Sequence, residues 1–105
     1  MLFIKIEKIK SAISDGNIEW QKHALERMLE RGISRNNVKA VLLTGDVVDA
    51  YPDDKPYSSC LVFGVDGAEI YHVVVAYDDK SETCFIITAY RPDLRYFEAD
   101  LKPRK

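Results

Sequence analysis

Three basic side chains recur every four residues in the segment EWQKHALERMLERGIS. They are His23, Arg27 and Arg31, and on a helix this spacing stacks them along one face, here called the His/Arg ridge. An imidazole exchanges protons near neutral pH, and a guanidinium binds a phosphate through parallel hydrogen bonds. The ridge is therefore a candidate half of a phosphate site. An ordinary exposed helix face is the alternative, because Glu26 and Glu30 are interleaved with it.

Further polar side chains with useful chemistry lie in apolar segments later in the chain. RNA cleavage without a metal ion needs a base for the ribose 2′-OH, a cation for the phosphorane and an acid for the leaving oxygen. The chain offers side chains of all these types. The candidate catalytic residues are His23, Arg27, His72 and Tyr90, and the candidate substrate-binding residues are Arg31, Thr88 and Arg91. Each also has a structural interpretation, since strands favour Thr and Tyr and a strand histidine is often a hydrogen-bonded core residue.

The sequence contains no pattern typical of a metal site. Its acidic residues are spread through predicted turns, which disfavours a two-metal nuclease. Cys60 and Cys84 form neither a CxxC motif nor a cluster with histidine, unlike the ligands of zinc sites. We expect no metal and no cofactor, and we expect both cysteines to be reduced core residues.

The net charge of −2 conceals an uneven distribution of charge along the chain. Basic residues predominate at 21–39 and from residue 84 onward, and acidic residues predominate between 46 and 82. A bulk non-specific DNA-binding protein is usually basic overall, so this class is disfavoured. The two basic segments would form one patch only if the fold brings them together.

Three helices are predicted in the first half of the chain, each ended by a glycine: Gly16, Gly32 and Gly45. In the second helix, the apolar pattern predicts a buried stripe of Leu25, Met28 and Leu29. In the third, Ser34 is a natural N-cap, with Ile33 and Val38 at the positions of a hydrophobic staple.

After the third helix the apolar periodicity becomes strand-like. The segments DVVDAY, YSSCLVFGV, AEIYHVVVAYD and ETCFIITAYR are rich in β-branched and aromatic residues, and their short connections require antiparallel neighbours. Asp66-Gly67 predicts a tight hairpin that pairs Leu61 with His72. Residues 18–20 are predicted to be only a short extended segment.

Strict alternation along the last strand would place Cys84, Ile86, Thr88 and Tyr90 on one face. The prediction is thus a single α+β domain over 1–105, with N-terminal helices followed by a four-stranded antiparallel sheet. Helices would cover one face of that sheet and leave the other available as a site.

The sequence gives no indication of a membrane-bound protein. No apolar run approaches the roughly 18 residues that a membrane span requires. The start, MLFIKIEKIKSAI, lacks the continuous apolar core of a signal peptide. We therefore expect a cytoplasmic protein with no membrane partner.

Four motifs, in this order, resemble the bacterial family catalogued as domain of unknown function 4258. They are WQKHALERMLERGIS (20–34), GDVVDAYPDD (45–54), YHVVVA (71–76) and IITAYRPD (86–93). The similarity covers a core of about residues 20–93. It implies a fold similar to the RelE-like and colicin-like ribonuclease toxins (BECR-type), and a toxin encoded beside a small antitoxin. The family's polar positions fall on His23, Arg27, Arg31, His72, Thr88 and Tyr90.

The leading hypothesis is a toxin-like, metal-independent endoribonuclease, with RNA as substrate and an antitoxin as protein partner. His23 or His72 would act as base or acid, Arg27 and Arg31 would hold the phosphate, and Tyr90 would orient the substrate or donate a proton. The alternative is a non-catalytic module whose His/Arg ridge binds an acidic partner protein or a nucleic acid. Both histidines in one cleft would favour the enzyme, and an enclosed His72 would favour the binding module. A purely structural domain is the least favoured, because the polar set is intact.

Overall fold

Three helices and a five-stranded sheet make up the structure, a computed structural model that describes residues 6–92. The helices are α1 (Ile6–Asp15), α2 (Lys22–Arg31) and α3 (Arg35–Thr44). The strands are β1 (Ile18–Trp20), β2 (Asp46–Tyr51), β3 (Ser59–Asp66), β4 (Glu69–Asp78) and β5 (Thr83–Tyr90). Residues 1–5 and 93–105 of the predicted domain lie outside the described residues.

The sheet has the order β1-β5-β4-β3-β2. The predicted α+β class and the antiparallel order of β2 to β5 are confirmed. The prediction of four strands is wrong, because residues 18–20 pair in parallel with residues 84–86 as a fifth strand. This pairing joins segments more than sixty residues apart in the chain, and local periodicity carries no information about such a contact.

No helix within residues 6–92 is long and apolar enough to cross a membrane.

The predicted helix ends are confirmed around α2 and α3. Gly32 adopts the left-handed conformation with φ of 66°, which glycine reaches without a steric cost. Ser34 caps α3 in a capping box, because its hydroxyl accepts from the amide of Asn37 while the Asn37 side chain accepts from the amide of Ser34. Ile33 and Val38 are both buried beside this cap.

The predicted buried stripe of α2 is wrong in part. Ala24 and Met28 are its buried residues and Leu25 is partly buried, whereas Leu29 is 84% exposed. The contacts of α2 with the sheet are concentrated on β5, the strand next to the outer strand β1. A helix in this position buries only a narrow stripe, and that stripe is centred on Ala24 and Met28 rather than on Leu29.

The hairpin between β3 and β4 forms, but its register differs from the predicted one by two residues. Asp66 pairs with Glu69, so Gly67 and Ala68 form the turn, and His72 lies opposite Phe63 rather than Leu61. Gly67 has φ of 64°, as the first central position of a type II′ turn requires. Because the shift is an even number of residues, the predicted face of His72 is unchanged.

The prediction that Thr88 and Tyr90 share a face with Cys84 and Ile86 is wrong. Val75 pairs with Ile86 but Val74 pairs with Thr88, so Ile87 is an extra residue in β5. Such a β-bulge reverses the alternation beyond it. Cys84 and Ile86 consequently face the helices, while Thr88 and Tyr90 lie on the opposite, open face.

The helical layer and one face of the sheet form the core. Its strand residues include Val62, Val73, Val75 and Ile86, together with the two cysteines. Cys60 and Cys84 are free and buried, as predicted, and burial raises the pKa of each thiol to about 12. The face opposite the helices, called the open face, carries His72 and Tyr90 among its polar and aromatic strand residues. It is only partly exposed, because His72 and Leu61 on this face are buried.

Candidate functional site

Polar side chains converge at the C-terminal end of β5, where Arg31 reaches the strand from the last turn of α2. Its Nη1 donates to Thr88 Oγ1 at 3.2 Å and to the Ala89 carbonyl at 2.9 Å. Since β1 pairs only with residues 84–86 of β5, these acceptors lie beyond the part of the strand that pairs with β1. We call Arg31, Thr88, Tyr90 and the adjacent His72 the β5 site.

Tyr90 and His72 are cross-strand partners within the β5 site. Their ring centroids lie 5.6 Å apart at 71°, and Phe63 contacts the imidazole from the other side at 6.3 Å and 88°. His72 is fully buried, whereas Tyr90 is partly exposed. Burial raises the pKa of Tyr90 above its ordinary value, against the opposing charge of Arg31. The phenol is therefore protonated at neutral pH and can donate a hydrogen bond.

Arg91 connects the end of β5 to the end of α2. Its Nη1 donates to the Arg31 carbonyl at 2.6 Å and its Nη2 to the Gly32 carbonyl at 3.5 Å. A guanidinium at this position satisfies carbonyls that a helix end leaves without partners. The same group lies 5.3 Å from the ring of Tyr71 and 3.5 Å from the carboxylate of Glu69. The two basic segments of the sequence thus meet here.

The structure divides the His/Arg ridge. Arg31 turns toward β5, but His23 is 73% exposed, with Nδ1 at 4.0 Å from the Glu26 carboxylate. Arg27 Nη1 bonds the Glu30 carboxylate at 2.8 Å, and this hydrogen bond and the accompanying charge attraction lower the pKa of Glu30. The cause lies in the helix geometry, since Arg31 follows the buried Ala24 and Met28 at spacings of seven and three residues and so lies on the same side of the helix.

The sequence-predicted site residues consequently fall into two groups. His72, Thr88, Tyr90, Arg31 and Arg91 come together around the end of β5. His23 and Arg27 lie on the exposed side of α2, and His23 is about 12 Å from Arg31 along the helix axis. The two histidines therefore belong to different surroundings, one solvated and one buried.

A concave region lies on the open face, toward the N-terminal end of β5. It is a pocket of about 300 Å³ whose lining includes Asp54, Tyr57, Ser59 and Phe85. The sequence analysis missed these residues, because the segment PDDKP indicates only a turn. The available indication was the pair of aromatic residues, Tyr57 and Phe85, which lie in the second and the last predicted strands.

Among residues 6–92, no group of three or more His, Cys, Asp and Glu side chains is placed to hold a metal ion.

A comparison with protein families gives a match over most of the described residues. The sequence model of the family described as Domain of unknown function (DUF4258) matches residues 20–91. The chain belongs to this family. The match begins at Trp20, before α2, and ends at Arg91, so it includes all of the β5 site and the His/Arg ridge. A search of curated proteins found no match, and neither did a search of solved structures.

Proposed function

We propose that this member of the DUF4258 family is an endoribonuclease that needs no metal ion and acts as the toxin of a toxin–antitoxin pair. The observation that supports the proposal is the approach of Arg31 to Thr88 and Tyr90 at the end of β5. Arg31 and the protonated phenol of Tyr90 supply two of the groups that cleavage of a phosphodiester needs, the cation and the acid. The toxin role comes from the resemblance to RelE-like and colicin-like ribonucleases.

Each residue of the β5 site would have its own role in the reaction. Both described hydrogen bonds of Arg31 come from Nη1, so Nη2 and Nε are the atoms that would bind the phosphate and stabilise the charge of the phosphorane. The ribose 2′ oxygen would attack the phosphorus and release its proton to solvent water. The bond between phosphorus and the 5′ oxygen would break as Tyr90 donates its proton to that leaving oxygen. Buried His72, in contact with the Tyr90 ring, would act as a positioning residue.

The exposed part of the ridge would bind the RNA backbone next to the reacting phosphate. His23 and Arg27 are accessible on α2, but their distance from Arg31 along the helix places them at a neighbouring nucleotide. This assignment differs from the simplest sequence-based scheme, in which a ridge histidine is the base. The reason is the geometry of the helix, which separates His23 from the end of β5.

One observation favours the non-catalytic alternative, a module that binds RNA or an acidic partner protein through the ridge. His72 is fully buried, and an imidazole without access to solvent cannot exchange protons directly with a bound substrate. The binding module would use the same His/Arg ridge as the ribonuclease, but it would not cleave what it binds.

Expression in bacteria together with cleavage of labelled total RNA in EDTA tests the proposal. The wild-type protein is expected to arrest growth and to produce fragments that end in 2′,3′-cyclic phosphate. Tyr90→Phe should abolish both effects, and His23→Ala and Arg27→Ala should weaken both. Lys80→Ala, an exposed change in the β4–β5 turn, serves as the control. RNA binding without cleavage by the wild-type protein would favour the binding module, and unchanged activity in all three variants would refute the site.

A further inference from the structure

The pocket on the open face has an aromatic wall and a polar edge. Phe85 of β5 and Tyr57 from the loop before β3 stack on each other, with ring centroids 5.1 Å apart and planes 19° from parallel. Both rings are partly exposed and both residues line the pocket. Ile87, 42% exposed, extends the apolar surface at the rim.

The polar edge is built around a carboxylate that is held in place. The hydroxyl of Ser59, which is 2% exposed, donates to Asp54 Oδ2. This bond holds the Asp54 carboxylate at the edge of the pocket, which Asp54 and Ser59 both line. Lys55 and the side chain of Gln21 complete the polar part of the lining.

We propose that this pocket binds a base of single-stranded RNA and that the base it selects is guanine, an inference that rests on RNA as the substrate class of the proposed function. Aromatic side chains stack on unpaired bases. A carboxylate has about four lone-pair sites, so Asp54 can accept two parallel N–H bonds while it also accepts from Ser59. Guanine presents two adjacent donors, N1–H and the N2 amino group, on its Watson–Crick edge. Uracil, cytosine and adenine each present donors on only one position of that edge.

The position of the pocket agrees with a nucleotide next to the reacting phosphate. Phe85 lies three residues before Thr88 on the same strand, about 10 Å at the usual rise of an extended chain. Both residues lie on the open face, because the bulge at Ile87 restores Thr88 to that face. A single RNA strand can therefore place a base against Phe85 and a phosphate beside Arg31.

Binding of 2′-O-methyl oligonucleotides, measured by fluorescence anisotropy, tests this inference separately from catalysis. These oligonucleotides lack the 2′-OH nucleophile, so affinity is measured whether or not the protein cleaves RNA. The probes are a seven-nucleotide uridine strand and two strands in which the central base is guanine or adenine. We expect the guanine strand to bind about tenfold more tightly than the other two, as a charge-assisted hydrogen-bond pair warrants.

Four variants assign the effect to the pocket. Asp54→Asn should remove the guanine preference, because the new amide group opposes the N–H donors of the base, whereas its exposed neighbour Asp53→Asn should change nothing. Tyr57→Ala should weaken the binding of the guanine strand about tenfold through the loss of stacking, and Tyr57→Phe should preserve it. Tyr57→Leu, which retains apolar bulk for folding, should behave like Tyr57→Ala.

The outcomes separate this inference from the proposed function. A guanine preference that survives in Asp54→Asn, or equal affinity for the three strands, overturns the selection of guanine. Unchanged affinity in folded Tyr57→Ala and Tyr57→Leu overturns the base pocket altogether. Guanosine monophosphate that displaces the guanine strand at equal concentration would make the pocket a free-nucleotide site and overturn its assignment to RNA. Loss of cleavage activity alone bears on the proposed function and leaves these binding results intact.

Discussion

At the scale of single residues, the β5 site depends on side chains that serve the fold and the proposed chemistry together. Arg31 satisfies the Ala89 carbonyl beyond the end of the β1 pairing and retains further N–H donors for a phosphate. Arg91 satisfies carbonyls at the end of α2. Substitution of either arginine therefore changes packing as well as charge, and activity must be compared with a measure of folding.

The pH dependence of cleavage tests the role of the Tyr90 hydroxyl. Burial raises the pKa of Tyr90 above the ordinary value of 10.0, so the phenol stays protonated throughout the neutral and mildly alkaline range. The activity that depends on Tyr90 should persist up to pH 10 and fall only at higher pH, as the proton is lost. A comparison of the pH–rate profiles of wild type and Tyr90→Phe measures this. If the Tyr90-dependent activity already falls as the pH is raised from 7 to 9, the proposed role of the protonated phenol is contradicted.

Alkaline stability tests the burial of the two cysteines. In the folded protein the pKa of Cys60 and of Cys84 is about 12, against 9.0 for an ordinary thiol. Above pH 9 the unfolded chain therefore loses thiol protons that the folded protein keeps. The free energy of unfolding should fall between pH 9 and pH 12, as measured by urea denaturation at several pH values. Cys60→Ala should make this fall less steep, because one buried thiol is removed. An equally steep fall in Cys60→Ala would contradict the raised pKa of the Cys60 thiol.

At the scale of elements, the bulge in β5 decides which face carries the site. If the strand alternated regularly, Thr88 and Tyr90 would share a face with Cys84 and Ile86 and would be core residues. The sequence predicted β5 as a strand from its β-branched and aromatic residues, and it named Thr88 and Tyr90 as candidate site residues from their hydroxyl groups. It could not locate the bulge, because the extra residue is apolar and leaves no compositional trace in IITAY.

The capping box of α3 gives a prediction at the same scale. Asn37 both caps the helix and donates to the Asp66 carboxylate of the β3–β4 hairpin at 2.8 Å, so it joins two elements. Ser34→Ala should lower the free energy of unfolding by about 1 kcal/mol. Asn37→Ala should lower it more, because the hairpin contact is lost too. The neighbouring exposed Asn36→Ala is the control in urea denaturation, and equal stability of all three variants would refute this role of the cap.

At the scale of the whole molecule, a chain with net charge −2 brings Arg31 and Arg91, from two distant segments, together at one end of β5. The sequence showed two basic segments, and the contact of Arg91 with the end of α2 brings them together. The helix caps, the family and the α+β class could be predicted because each depends on local pattern or motif. The fifth strand, the face of α2 that is buried and the aromatic pocket depend on contacts between distant segments, which the sequence pattern does not specify.

The arginines of the ridge and of the β5 site predict a moderate salt dependence of RNA binding. If the ridge and the β5 site neutralise two phosphates, the logarithm of affinity should fall with the logarithm of salt concentration at a slope of about −1.4 for a single strand. Arg27→Ala should reduce the slope by about 0.7, and Lys80→Ala in the β4–β5 turn should leave it unchanged. Equal slopes for wild type and Arg27→Ala would show that the ridge does not contact the backbone.

The most direct test of the central claim is cleavage of an RNA with one reactive linkage. An oligonucleotide that is 2′-O-methylated at every position except one is incubated with purified protein in EDTA under single-turnover conditions. The wild-type protein should cleave at the single ribose and leave a 2′,3′-cyclic phosphate. Folded Arg31→Lys and Tyr90→Phe should each react at least about a hundredfold more slowly, while Lys80→Ala reacts normally. Cleavage at the wild-type rate by both variants, or no cleavage by the wild-type protein, would contradict a reaction centre at the end of β5.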